Sequence, residues 1–120
     1  DALDWTPPDA FDAILLDAPC TATGTLRRHP DVLRHRKPGQ MAKLVALQAA
    51  LLARAADWLK PDGVLAYSVC ALQPQEGEAQ MAAFLESRAD FTRLTTDAPS
   101  RFTPDENMDG FFIALLRKGR

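Results

Sequence analysis

Asp17, Cys20 and Cys70 are the residues of this 120-residue chain best suited to chemistry. Asp17 and Cys20 close the stretch Phe11-Asp12-Ala13-Ile14-Leu15-Leu16-Asp17-Ala18-Pro19-Cys20, and Cys70 closes Val64-Leu65-Ala66-Tyr67-Ser68-Val69-Cys70. A thiolate is a good nucleophile, and a carboxylate near it can move protons or recognise a hydrogen-bonding edge. The two cysteines lie far apart and form no CxxC, and no basic residue flanks either one, which argues against thiol-redox or hydrolytic chemistry. A zinc site built from both with His29 or His35 matches no common ligand spacing, so no metal is expected. Taken singly, either cysteine reads more simply as a small core residue, because free Cys is among the most buried types.

The elements around them change that reading. Residues 11–17 are a short apolar run with a Pro stop, the pattern of a buried parallel strand that feeds a loop. Residues 21–40 hold Gly24, Pro30, Pro38 and Gly39 and read as a long loop. Met41, Leu44, Val45, Leu51, Leu52, Ala55 and Leu59 recur at helical spacing, and that helix is expected to stop at Lys60-Pro61-Asp62-Gly63. Residues 64–70 form a second strand. Pro74, Glu76 and Glu78 open a second helix, with Pro and acids where a first turn favours them, and Met81, Ala82, Phe84 and Leu85 give it an apolar face. A short strand at Phe91–Leu94 and a strong one at Phe111–Leu116, after the Asp109-Gly110 turn, complete the chain. Alternation of this kind implies an α/β sheet with an antiparallel pair of strands at one edge. Ligands bind such sheets beyond the carboxyl ends of the strands, and both cysteines sit there. If the two strands are neighbours, the thiols face one cleft. Tyr67, Phe111, Phe112 and the Met and Leu positions of the first helix are assigned to the core, with Trp58 packing near the helix end.

Composition narrows the class. Apolar content of 47% and charged content of 25% are those of an ordinary globular domain, and 120 residues fit one domain with no repeat. No run approaches the ~20 apolar residues that span a bilayer, and the N-terminus has neither the basic start nor the apolar stretch of a secretory signal. With two free thiols, an intracellular, cytoplasmic location is expected. Net charge is −2 overall, yet residues 21–40 carry Arg27, Arg28, Arg34, Arg36 and Lys37 against the single acid Asp31. A basic loop directly after Cys20 fits phosphate contacts to a nucleic acid.

These residues carry a resemblance. Asp17-Ala18-Pro19-Cys20-Thr21-Ala22-Thr23-Gly24-Thr25, continued by Arg27-Arg28-His29-Pro30-Asp31, resembles motif IV of the Fmu/Sun family of RNA 5-methylcytosine methyltransferases. Tyr67-Ser68-Val69-Cys70-Ala71-Leu72, followed by Pro74, Glu76 and Glu78, is similar to its motif VI. Arg101, Thr103, Pro104 and Asp109-Gly110-Phe111-Phe112-Ile113-Ala114 resemble its closing segment. Val69, Ala71 and Gly77 depart from the family pattern, where Thr, Ser and Asn are usual.

The resemblance implies methyl transfer from S-adenosyl-L-methionine to a cytosine of RNA, ribosomal RNA being the suggested substrate. It assigns Cys70 as nucleophile, Cys20 to product release and Asp17 to the cytosine edge. DNA cytosine-5 methyltransferases use the Pro-Cys thiol for attack, which here is Cys20; the motif VI cysteine favours Cys70. Asp1 and Asp17 are the cofactor contacts it implies, and Pro19, Arg27, Arg28 and Arg34 the RNA contacts. The fold implied is the C-terminal half of a Rossmann-like sheet, residues 1–120 being a partial catalytic domain without the first strands and the Gly-rich cofactor loop. Such a half is expected to bind cofactor weakly when alone. It should also leave an open edge beside residues 11–17 and uncovered apolar helix faces, inviting a homodimer or pairing with the missing half. The competing expectation is a non-catalytic RNA-binding or assembly module derived from such an enzyme.

Overall fold

A computed structural model describes all 120 residues, Asp1–Arg120. The apolar runs form the expected strands. β1 is Phe11–Asp17, β2 Leu59–Val69, β3 Phe91–Leu94, β4 the short Arg101–Phe102 and β5 Phe111–Lys118. Between them lie the helices α1, Gln40–Asp57, and α2, Glu78–Ser87. The long basic loop contains two 3-10 turns, Thr23–Thr25 and Pro30–His35.

The strands make a five-stranded sheet in the order β1-β2-β5-β3, with β4 also on β5. β1 and β2 are parallel neighbours, Ile14 opposite Leu65, Leu16 opposite Tyr67 and Asp17 opposite Ser68. β5 runs antiparallel to β2 and to β3. The expected antiparallel edge pair is therefore β5 with β3, and the strand running against all the others is β5, one place in from the edge.

Helix α1 stops earlier than its apolar spacing suggests. Trp58 caps it, packs edge-on against Trp5 at 5.4 Å between ring centroids, and accepts the Phe11 N–H on its carbonyl. The ladder thus starts at Leu59, ahead of the Pro-Asp-Gly turn. That turn becomes a bulge inside β2: Phe11 pairs with Leu59 but Ala13 with Val64. Asp62 takes a left-handed φ of 65° there, which Asp tolerates better than most residues.

Period-two alternation gives the sheet two unlike faces. On one, Leu65, Tyr67 and Val69 of β2 and Phe112, Ala114 and Leu116 of β5 pack beneath Leu52, Ala55 and Ala56 of α1 and Met81 and Phe84 of α2. Each such large side chain buried contributes roughly 1.5–3 kcal/mol. Both helices lie on this face, joined where the Gln80 amide bonds the Val45 carbonyl and the Gln48 side chain. The other face has no helix over it: Leu15 is 70% exposed, and Phe111, Ile113 and Leu115 are half-covered. Sequence reasoning put the uncovered apolar surface on the helices; it lies on the sheet instead, because both helices cross to the same side. The same alternation corrects Phe111, which was assigned to the core. Tyr67 and Phe112 are fully buried, whereas Phe111 points to the open face and stacks on Phe102 at 4.4 Å. No helix is long and apolar enough to cross a membrane.

Candidate active site

The carboxyl ends of β1 and β2 bring the predicted residues together. Parallel pairing places Asp17 beside Ser68, whose hydroxyl donates to the Asp17 carboxylate at 3.2 Å. The ladder continues past both strands, with the Ala18 N–H on the Ser68 carbonyl and the Gly24 N–H on the Cys70 carbonyl. Between these tethers the chain doubles back, and the Cys20 and Cys70 sulfurs come to 3.4 Å. Neither forms a disulfide. Such a separation is a thiol–thiol hydrogen bond, with the Ala22 N–H also directed at the Cys20 sulfur.

The two thiols are not equivalent. Cys70 lines an open cleft of about 530 Å³ with Leu15, Asp17, Arg28, Asp109 and Phe111, while Cys20 does not line it, although both cysteines are half-buried. The hydrogen bond from Cys20 lowers the Cys70 pKa from 9.0 to about 7, against the opposing effects of burial and of the Asp17 and Glu76 charges. Cys20 is held in its protonated form by the same hydrogen bond and by burial. Near neutral pH Cys70 is therefore the thiol of the pair that ionises, while Cys20 stays protonated.

The loop that carries Cys20 is pinned by side chains that sequence reasoning passed over. Thr21 donates its N–H and its hydroxyl to Glu76, at 2.9 and 2.7 Å. The Thr23 hydroxyl accepts the Leu72 N–H and donates to Gln73. Gln48, fully buried on the inner face of α1, donates to the Pro19 carbonyl and to Glu76. Glu76 was expected as a first-turn acid of the second helix. It lies instead in a 3-10 turn, Pro74–Glu76, that precedes α2 and turns its side chain fully inward. The available signals were a Gln on an otherwise apolar helix face and an acid six residues after a strand-end cysteine.

Gly24 is required by contact. A Cβ there would lie 1.9 Å from the Gly110 carbonyl oxygen and 2.9 Å from that of Cys70. The Gly110 N–H bonds the Gly24 carbonyl, so the turn before β5 is stitched to the loop. Arg28 completes the seam through two bonds to Asp109 Oδ2, and Arg27 lies 3.0 Å from Asp109 Oδ1. The pairing raises the Arg28 pKa and lowers that of Asp109. Arg27 and Arg28, expected at RNA phosphates, are thus engaged within the protein, while Arg34, Arg36 and Lys37 are exposed and form no ion pair. Pro19 is exposed beside Cys20. Asp1 does not line the cleft. Its carboxylate caps the Leu3 N–H in a turn whose Trp5 packs on Phe11, at the amino end of β1, whereas Asp17 closes the opposite end.

The departures from the motif pattern have local reasons. Val69 and Ala71 are fully buried, so the missing hydroxyls would face the core rather than the thiol. At Gly77 a Cβ would meet the Arg101 guanidinium at 2.7 Å and the Phe112 ring at 2.8 Å.

The chain is 42% identical over 127 residues to ribosomal RNA small subunit methyltransferase B of Xanthomonas campestris, covering 98% of the chain and 29% of that relative. It is 44% identical over 122 residues to the protein of the same name in Shewanella oneidensis, 28% of whose length it spans. Among solved structures, NSun6 from Pyrococcus horikoshii with SFG superposes over the full chain with a TM-score of 0.81 at 31% identity, the chain covering 33% of it. The profile of the 16S rRNA methyltransferase RsmB/F family matches residues 2–117, and with the paired thiols at the strand ends it fixes the assignment: this chain belongs to the RsmB/F methyltransferase family.

Proposed function

We propose that this chain is the substrate-activating half of an RNA cytosine-5 methyltransferase catalytic domain, acting on ribosomal RNA with S-adenosyl-L-methionine as methyl donor. The observation that carries the reading is the Cys70 sulfur lining the cleft with the Cys20 sulfur 3.4 Å from it. C5 of cytosine is a poor nucleophile. Addition of the Cys70 thiolate to C6 forms a C–S bond and moves the ring's electron pair toward C5, which can then take an electrophilic methyl group. Asp17, at the cleft wall, accepts a hydrogen bond from the cytosine N4 amino group and fixes the ring edge.

Once Cys70 has become a thioether, the thiolate charge and the hydrogen bond that kept Cys20 protonated are gone. With only burial left to oppose its ionisation, Cys20 can give its proton to solvent and then take the C5 proton, and the electron pair left behind expels Cys70 as thiolate. The starting pair is restored, and the one proton lost to solvent balances the exchange of C5 hydrogen for methyl.

The bound cofactor supplies the methyl group on a sulfonium. Of its pocket this chain builds one wall: the Asp17 carboxylate stands at the end of the edge strand β1, partnered only by Ser68. The open edge of β1 and the uncovered sheet face, with Leu15 at 70% exposure, suit the rest of such a domain, or a second copy. Arg34, Arg36 and Lys37 are the cations free for RNA phosphates.

The test is covalent trapping on RNA in the longer enzyme. Cys70→Ala abolishes the protein–RNA adduct, and Cys20→Ala lets it accumulate. Loss of the adduct in the Cys20 variant alone would reverse the two roles.

A further inference from the structure

Glu76 is a fully buried carboxylate to which no cation is paired. A buried charge without a counter-ion is costly unless donors surround it. Its donors are the Gln48 amide at 3.1 Å and, twice over, Thr21, through backbone N–H and hydroxyl. The Tyr67 hydroxyl fixes the Glu76 main chain from below by bonding its carbonyl at 2.7 Å. Backbone tethers hold the Cys20 loop only at Ala18 and Gly24. Side chains hold both neighbours of Cys20. Gln48 bonds the Pro19 carbonyl, and Thr21, the midpoint between the backbone tethers, is bonded twice by Glu76 and has its hydroxyl within reach of Gln73. Glu76 thus makes the larger share of the contacts that set where the Cys20 sulfur lies.

We propose that Glu76 is a positioning residue for the thiol pair: its buried carboxylate holds Thr21, and through it Cys20, within hydrogen-bonding distance of Cys70. This rests on the reading of Cys20 and Cys70 as the working thiols, and adds a group that lines neither the cleft nor its mouth. The arrangement explains why an acid is tolerated beside a thiolate. Among the charges facing Cys70, Asp17 and Glu76 oppose its ionisation and Arg28 interacts favourably with it. The hydrogen bond from Cys20 outweighs the opposing charges, and it exists only while Cys20 is held in place.

Charge and position make opposite predictions, which gives the test. The 120-residue chain is alkylated with iodoacetamide over a pH series, and modification of Cys70 is followed by mass spectrometry. If Glu76 acted through its charge alone, Glu76→Ala would lower the Cys70 midpoint. As a positioning residue its loss raises the midpoint by about one unit, a roughly fivefold loss of thiolate at neutral pH. Glu76→Gln, which keeps an acceptor oxygen for Thr21, restores the wild-type midpoint or moves it lower. A folded Glu76→Ala chain whose midpoint is unchanged or lowered overturns the proposal. If circular dichroism shows that variant unfolded, Thr21→Val decides: it keeps the charge and loses one tether, so an unmoved midpoint overturns the proposal equally. Neither readout involves RNA or cofactor, so failure here leaves the adduct experiment on Cys70 standing.

Discussion

The sulfurs of Cys20 and Cys70 lie 3.4 Å apart although fifty residues separate them in the chain. The contact joins two chemically identical side chains in one hydrogen bond and makes them unequal in acidity, Cys70 the stronger acid and Cys20 the weaker.

Removing Cys20 should undo the inequality. In Cys20→Ala the Cys70 midpoint rises from about 7 toward the ordinary value of 9.0, because its largest stabilising contribution is that hydrogen bond. At neutral pH, alkylation of Cys70 therefore slows by an order of magnitude or more. A midpoint that stays near 7 would mean that the backbone hydrogen bond to the Cys70 sulfur, and not Cys20, stabilises the thiolate.

Gly24→Ala should unfold the seam rather than the chemistry. A methyl group 1.9 Å from the Gly110 oxygen has nowhere to go, since both neighbours are backbone and Gly24 is itself hydrogen-bonded to Cys70 and Gly110. Overpacking of this kind costs on the order of 3 kcal/mol. Urea titration should show a lower midpoint with an unchanged slope.

Asp109 keeps the arginine loop closed. In Asp109→Ala, Arg27 and Arg28 lose their common partner, and the segment that follows has no buried side chain to hold it. Limited trypsin digestion should then cleave after Arg27 or Arg28 several-fold faster than in the parent chain. Equal rates would show that the Gly24–Gly110 backbone bonds alone close the loop.

The free cations predict a salt effect. With Arg34, Arg36 and Lys37 each meeting one phosphate of single-stranded RNA, changing all three to Ala should flatten the log–log salt dependence of binding by about 2. Arg27 and Arg28 should contribute little to that slope in the closed loop, because Asp109 already neutralises part of their charge.

Much of this protein was legible in order along the chain. Apolar runs of the right length marked β1, β2 and β5, helical spacing marked α1, and Asp17, Cys20 and Cys70 fell at strand ends where ligands bind. Such signals are local: they depend on which residues follow one another, and tertiary packing honoured them. What the sequence could not decide were properties of contact. Glu76 has the same identity whether it caps a helix in water or sits buried under Thr21, and only the fold of residues 70–76 against the Cys20 loop chose between them. Arg27 and Arg28 look like Arg34 until the Asp109 turn arrives from eighty residues away. Phe111 and Phe112 differ only by one step of alternation, whose inner side depends on where both helices dock. The two cysteines follow the same rule. Their types were visible from the start, but a thiol that ionises near neutral pH is made by the close approach of its partner sulfur, against the cost of burial, and that approach exists only once β1 and β2 lie side by side.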